Sequence, residues 1–289
     1  MSDSTPAFSQ NGADLFIPDG AALPEALTRT THLGIGAHAD DLEFFAWPGI
    51  EACFGRDDRW FTGVTITDGG GSPRTGPYAD WPDEKIRRAR AAEQRAAAVI
   101  GEYAAIAQLA WPSALVKDAA QAGPLITELE TLLRLARPEV VYMHNPADRH
   151  DTHVACFWRT LAALRRLPAA ERPKAVYGCE VWRSLDWLVG TDRGKLPAGG
   201  RPHLQAALAG VFDTQIAGGK RYDLAVPARR LANATFDDSH AVDRDPGITY
   251  AIDLTPLVAD DALDPVAFTL RLVDNLRRDI RERLERFGG

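Results

Sequence analysis

Residues 33–43 read Leu33-Gly34-Ile35-Gly36-Ala37-His38-Ala39-Asp40-Asp41-Leu42-Glu43. The first four form an apolar run of strand type. Behind the acids, Leu42, Phe44, Phe45, Trp47 and Ile50 take up a helix-like pattern. A polar, acidic junction between strand and helix lies where α/β sheets place their ligand sites, outside the carboxyl ends of the strands. His38 and Asp41 stand three apart in the opening turn, so their side chains can converge on one point, as metal ligands must. Asp40 lies between them, points elsewhere and is free for proton transfer. The plain alternative is a helix N-terminus rich in acids, which the helix dipole favours without any ligand.

The strand–turn–helix unit recurs along the chain. Trp60 to Thr67 reads as a second strand, ending in Asp68-Gly69-Gly70-Gly71-Ser72-Pro73, whose glycines let the backbone approach a ligand. Trp81-Pro82-Asp83-Glu84 opens a long Arg/Ala/Glu-rich helix to about Ile100, with proline near the first turn. Ala104 to Ala110 is a weaker strand, and Leu125, Ile126, Leu129, Leu132 and Leu133 mark a helix stopped near Pro138. Glu139 to Met143 is a further strand running into His144-Asn145-Pro146-Ala147-Asp148-Arg149-His150-Asp151-Thr152-His153. A helix follows, and Lys174 to Cys179 is a fifth strand.

Five alternations predict an α/β fold: a Rossmann-like, doubly wound, mostly parallel sheet with helices on both faces and right-handed crossovers. Residues 1–30 read as a lead-in with a short helix, partly disordered, to about residue 12. Residues 31–289 read as one domain. Within it, 190–289 is Gly- and Pro-rich, an elaboration that completes the cleft and ends in a helix. There Val266, Leu270, Val273, Leu276, Ile280, Leu284 and Phe287 keep a three-to-four spacing.

Composition narrows the classes. With 45% hydrophobic and 25% charged residues, the 289-residue chain has ample material for a core. A net charge of −7 without a Lys/Arg-rich block argues against a polyanionic partner such as nucleic acid. Three cysteines without CxxC spacing fit a reducing compartment. Met1 to Gly20 lacks the basic and apolar regions of a signal peptide, and no apolar run spans a bilayer, so the expected location is cytoplasmic. Homo-oligomerisation stays open.

Four of the seven histidines lie in the two strand-end segments: His38, His144, His150 and His153. His150 and His153 share a helix face. In a parallel sheet the carboxyl ends line one edge, so His38, Asp41 and one of that pair can meet. Two histidines and a carboxylate make a catalytic zinc set with a position open for water. Asp148 and Asp151 can orient the histidines or cap the helix that follows. A nucleotide-binding reading fares poorly, because Gly36-Ala37-His38-Ala39-Asp40 lacks the G-x-G-x-x-G fingerprint.

His38-Ala39-Asp40-Asp41 together with His150-Asp151-Thr152-His153 resembles the PIG-L/LmbE-like zinc-dependent N-deacetylases. The loop Asp68 to Gly71 and the Arg90-x-x-Glu93 helix are similar to that family as well; Ala39 stands where proline is commoner. The resemblance implies Zn²⁺, or another divalent metal, on His38, Asp41 and His153. It further implies Asp40 as general base and His150 as its protonated partner. Asp68, Arg90, Trp182, Arg183 and His240 are read as substrate contacts, the last three from a wall after the fifth strand and a polar loop. The implied activity is removal of an N-acetyl or short acyl group from an amino sugar or glycoside-type substrate. The alternative is a metal-dependent hydrolase of a non-sugar amide or ester in a biosynthetic pathway.

Overall fold

The computed structural model describes residues 6–288. Eight strands form one mixed sheet: β1 (Asp14–Phe16), β2 (His32–Gly36), β3 (Phe61–Thr67), β4 (Ala105–Trp111), β5 (Val140–His144), β6 (Ala175–Cys179), β7 (Gly194–Pro197) and β8 (Ile248–Asp253). Their order is β1-β4-β3-β2-β5-β6-β8-β7. The five central strands β4-β3-β2-β5-β6 run parallel, and Leu33 sits between Thr62 and Val141 in register. β1, β8 and β7 join the two edges antiparallel. Chain order runs outward one way from β2 and the other way from β5. The crevice between their carboxyl ends is therefore the topological switch point, where open α/β sheets bind ligands.

Among the described residues twelve α-helices accompany the sheet: α1 (Glu25–Thr28), α2 (Asp41–Phe45), α3 (Trp47–Cys53), α4 (Asp83–Ile100), α5 (Ser113–Lys117), α6 (Gly123–Ala136), α7 (Asp151–Arg166), α8 (Pro202–Gly210), α9 (Asp213–Ile216), α10 (Tyr222–Thr235), α11 (Thr255–Ala259) and α12 (Pro265–Phe287). Strand residues alternate between two cores, as the pleat requires. Leu33, Ile35, Val64 and Val141 pack with Leu129, Phe157 and Leu161 of α6 and α7. Phe61, Ile106 and Tyr142 pack with Leu42, Phe45 and Ile50 on the other face. Gly34 has no room for a side chain: a Cβ there would come within 2.8 Å of Phe61 and 3.0 Å of Leu42. That bare spot lets α2 lie directly on β2.

Several sequence expectations change. The helix after β2 is two short ones, α2 and α3, with Pro48 at the start of the second breaking the hydrogen-bond ladder. Every residue of α2 is buried, so that segment has no polar face. In the lead-in, residues 1–5 lie outside the described part, and order begins well before residue 12. Phe8 packs on the core, and the Ser9 backbone N–H donates to Glu128 at 2.6 Å. The region from 190 contributes two strands, and Tyr250 and Ile252 of β8 enter the core. The apolar series of α12 lies mostly on its outward side. Pro265, Phe268 and Leu272 are the residues it buries.

Candidate active site

β2 ends at the switch point, and its last peptide groups are held from both sides. Ala37 donates its N–H to His144 Nε2 at 2.9 Å, and its carbonyl accepts from the Thr67 N–H at 2.8 Å and hydroxyl at 2.7 Å. The chain then turns sharply into α2. Asp41 Oδ2 accepts the His38 N–H at 2.7 Å and lies 3.2 Å from His38 Nδ1. From the β5 side, His153 in the first turn of α7 brings Nε2 to 3.2 Å from His38 Nδ1 and 3.5 Å from Asp41 Oδ1. Asp148 Oδ2 takes the other ring nitrogen of His153 at 3.0 Å. This fixes the tautomer and leaves the Nε2 lone pair facing the cluster.

The donor set fits a metal. Zinc bonds of ~2.0–2.1 Å at tetrahedral angles put neighbouring donors roughly 3.3 Å apart, close to the 3.2 and 3.5 Å separations here. Two imidazole nitrogens and a carboxylate packed this closely repel unless a proton or a cation lies between them. Burial drives the His153 pKa down to about 3, so the ring is neutral and its lone pair available. Burial opposes the charge on Asp41, but the surrounding imidazoles outweigh it and hold the carboxylate well below its ordinary pKa. His38, His150 and His153 form a second possible triplet, and Asp41, His144 and His153 a third. His144 Nε2 already accepts the Ala37 N–H, which removes it as a free donor. His150 is half-buried, and its Nδ1 meets no partner among the described residues, so no neighbour orients it as Asp148 orients His153. Burial, and after it the neighbouring His38, push the His150 pKa below its usual value.

Asp40 is placed differently. Its backbone is left-handed (φ 95°), unusual for a residue with a side chain. Two residues of α4, four apart and so on one face, grip the Ala39–Asp40 peptide from both ends. Arg90 donates to the Ala39 carbonyl at 2.6 Å, and Gln94 accepts the Asp40 N–H at 3.2 Å. Gln94 donates in turn to Glu43, whose same oxygen accepts from Tyr103. Burial raises the Asp40 pKa well above the ordinary value; the Arg90 guanidinium at 3.6 Å works against this, and the neighbouring acids Asp41, Glu43 and Glu93 add to it. Burial likewise raises Glu43 to about 7.

A cavity of about 390 Å³ opens above the cluster. His38, Asp40, Asp41 and His150 border it, and Phe44, Trp182 and Tyr222 give it aromatic sides. Much of its wall comes from beyond residue 190, through Lys220, Tyr222, Val226 and Arg230. Arg230 ties that wall down by donating to the carbonyls of Glu43 and Phe44 at 2.9 and 2.7 Å. Glu180, at the end of β6, accepts from the Tyr250 and Leu185 N–H groups and from Asn233, joining β6, β8 and α10.

The substrate contacts expected from sequence divide. Trp182 lines the cavity, its ring 5.9 Å from that of His150. Arg90 reaches its edge, but its guanidinium is engaged by Ala39, Ser72 and Asp40. Asp68 pairs with Arg87 at 2.8 Å and borders a separate cavity. Arg183 donates to the Ala147 carbonyl and does not line the cleft, and His240 is exposed in the loop after α10, away from it. Gln94, Glu43, Tyr222 and Arg230 were missed by sequence reasoning. Glu43 closes the opening stretch and Gln94 follows Glu93 of the Arg90-x-x-Glu93 helix, whereas Tyr222 and Arg230 stand near no motif.

Fold and site together define an α/β enzyme of the metal-dependent hydrolase class. The family model described as PIG-L: GlcNAc-PI de-N-acetylase matches residues 33–164. A comparison with curated proteins found no match. Among solved structures, the 4-carboxy-2-hydroxymuconate hydratase GalB of Pseudomonas putida shares the fold (TM-score 0.59, 17% identity, 78% of this chain and 95% of that one). So does N,N'-diacetylchitobiose deacetylase of Pyrococcus horikoshii (TM-score 0.56, 14% identity, 76% and 83%). A deacetylase of the teicoplanin biosynthesis pathway does too (TM-score 0.57, 15% identity, 77% and 97%).

Proposed function

We propose that the protein is a zinc-dependent hydrolase that removes an N-acetyl or other short acyl group from an amino sugar or glycoside-type substrate. The observation that carries this reading is the convergence of His38, His153 and Asp41 beside a separate buried carboxylate, Asp40, at the base of one cleft. Fold alone would not carry it, since a hydratase shares the architecture. Two of the solved structures with this fold are named as deacetylases, one of N,N'-diacetylchitobiose and one of teicoplanin biosynthesis.

In this reading His38, Asp41 and His153 hold the ion. A divalent metal supplies Lewis acidity there, polarising a carbonyl and making water acidic enough to attack near neutral pH. Asp40 accepts the proton of the attacking water. Burial strengthens its grip on that proton, as a general base needs, and the Arg90 guanidinium works against that rise. His150 borders the cleft, where it can pass a proton to the leaving nitrogen. Trp182, Tyr222 and Phe44 offer flat apolar surface to a sugar ring.

One observation favours the second reading, a non-sugar amide or ester. Arg149 and Lys220 line the cleft without a carboxylate partner among the described residues, which suits an acidic acyl compound. The test is a screen of N-acetylated glycosides and N-acyl amino acids for released amine, with and without added zinc. Zinc-dependent release from the glycosides is the expected result. Release from the amino acids alone would select the second reading, and no release from either by zinc-loaded protein would overturn both.

A further inference from the structure

We infer that the outward face of α12 is a docking surface for α12 of a second copy of this chain, paired antiparallel. Val266, Val273, Ile280 and Phe287 recur every seven residues, with Leu270 and Leu284 four places after Val266 and Ile280. Together with Arg277 they form an unbroken 4-3-4-3-4-3 series, the seam spacing of a two-stranded coiled coil. An amphipathic helix on a globular domain normally turns such a stripe inward. Here all six apolar members are 45–80% exposed, while the helix is anchored through Phe268 and Leu272. From residue 281 to 288 every side chain is exposed, so the last two turns stand clear of the body. A contiguous stripe of this kind marks an interaction site.

Charge and register select the occupant. Arg277 is the one polar residue of the seam. In a parallel pair it would face its own copy, bringing two guanidiniums together. In an antiparallel pair with the twofold axis near residues 278–279, Leu270 meets Phe287, Val273 meets Leu284 and Arg277 meets Ile280, each contact occurring twice. Along one flank Asp274 then comes beside Arg281, also twice, placing opposite charges together. The free end of each helix covers the body-anchored half of the other, so the exposed stripe is covered from Leu270 to Phe287. The contact is isologous and closes on itself as a dimer. It holds whatever substrate the cleft takes.

Sedimentation or light scattering of the full chain tests this. The expected species has twice the 31.5 kDa chain mass. Ile280→Glu with Leu284→Glu should give a monomer of unchanged circular dichroism, because neither side chain packs on the body. Asp274→Lys and Arg281→Asp should each weaken the dimer roughly tenfold, and the double exchange should restore it. Three results would overturn the proposal. One is a native chain that stays monomeric at its highest soluble concentration. The second is a dimer that survives Ile280→Glu with Leu284→Glu. The third is a monomer that binds phosphatidylserine vesicles through this stripe, which would make α12 a membrane-surface helix.

Discussion

Asp40 takes a left-handed backbone and Asp41 opens α2 in a helical one, so the adjacent carboxylates leave the chain in different directions. A non-glycine residue held this way costs ~1–3 kcal/mol, and it persists only where the surroundings over-determine it. Arg90 and Gln94 supply that constraint by holding both ends of one peptide group. Gln94→Met should therefore lower kcat with little change in KM. Combined with Asp40→Asn it should add almost nothing, since both act through one carboxylate. Additive losses would mean that Gln94 acts elsewhere. Asp41→Asn should lose metal, because a neutral amide replaces an anionic donor. Asp40→Asn should keep metal and lose ~10²–10⁴-fold in kcat. Zinc content and kcat of both variants separate the roles, and near-native turnover in Asp40→Asn would move proton abstraction to another group. Glu43 gives a pH signature. Burial raises its pKa from 4.5 to about 7 in the folded chain, so between those values the folded state holds a proton that the unfolded state has released. Stability should thus fall as pH rises from about 4.5 to about 7 and level off above. Glu43→Gln should flatten that part of the urea-unfolding profile; an unchanged slope would assign it to another group.

At the level of elements, α2 carries the acids and α10 holds α2 in place. Arg230, buried in α10, caps two carbonyls of α2, Glu43 and Phe44, neither of which is near it in sequence. Burial lowers its pKa to about 9, so it is still a cation at neutral pH. Arg230→Met would leave both carbonyls without that donor. A buried group stripped of its partner costs ~1–3 kcal/mol, so the loss should be roughly 2–4 kcal/mol in urea unfolding. Arg230→Lys should recover only part of it, because one ammonium cannot span two carbonyls and Gln205 as a planar guanidinium does. A loss below ~0.5 kcal/mol in Arg230→Met would show that α10 does not brace α2.

For the whole molecule, a ligand bound only by the folded state stabilises it by mass action. Zinc at ~100 times its dissociation constant should add ~2.7 kcal/mol and raise Tm by several degrees. A chelator should reverse the shift, and His153→Ala should abolish it; an equal shift in His153→Ala would remove that residue from the ligand set. Among the described residues no helix is long and apolar enough to cross a membrane. All three cysteines are free and buried, so no disulfide contributes to stability. The parallel centre of the sheet and the two histidine-bearing strand ends were legible in the sequence. Alternating strand and helix periods are local, and a parallel sheet puts successive carboxyl ends on one edge by necessity. Local pattern also located His38, Asp41 and the His150/His153 pair. Spacing could not show which of the pair has its ring oriented by a neighbour, since that depends on Asp148 reaching one ring nitrogen of His153 across the turn. Nor could it foresee the left-handed Asp40, the insertion of β8 between β6 and β7, or Arg230 on α2, contacts that span tens to nearly two hundred residues. The stripe on α12 shows the same division: its spacing is written in the sequence, but only the packing of Phe268 and Leu272 decided which face turned outward, because a helix buries whichever side meets the body.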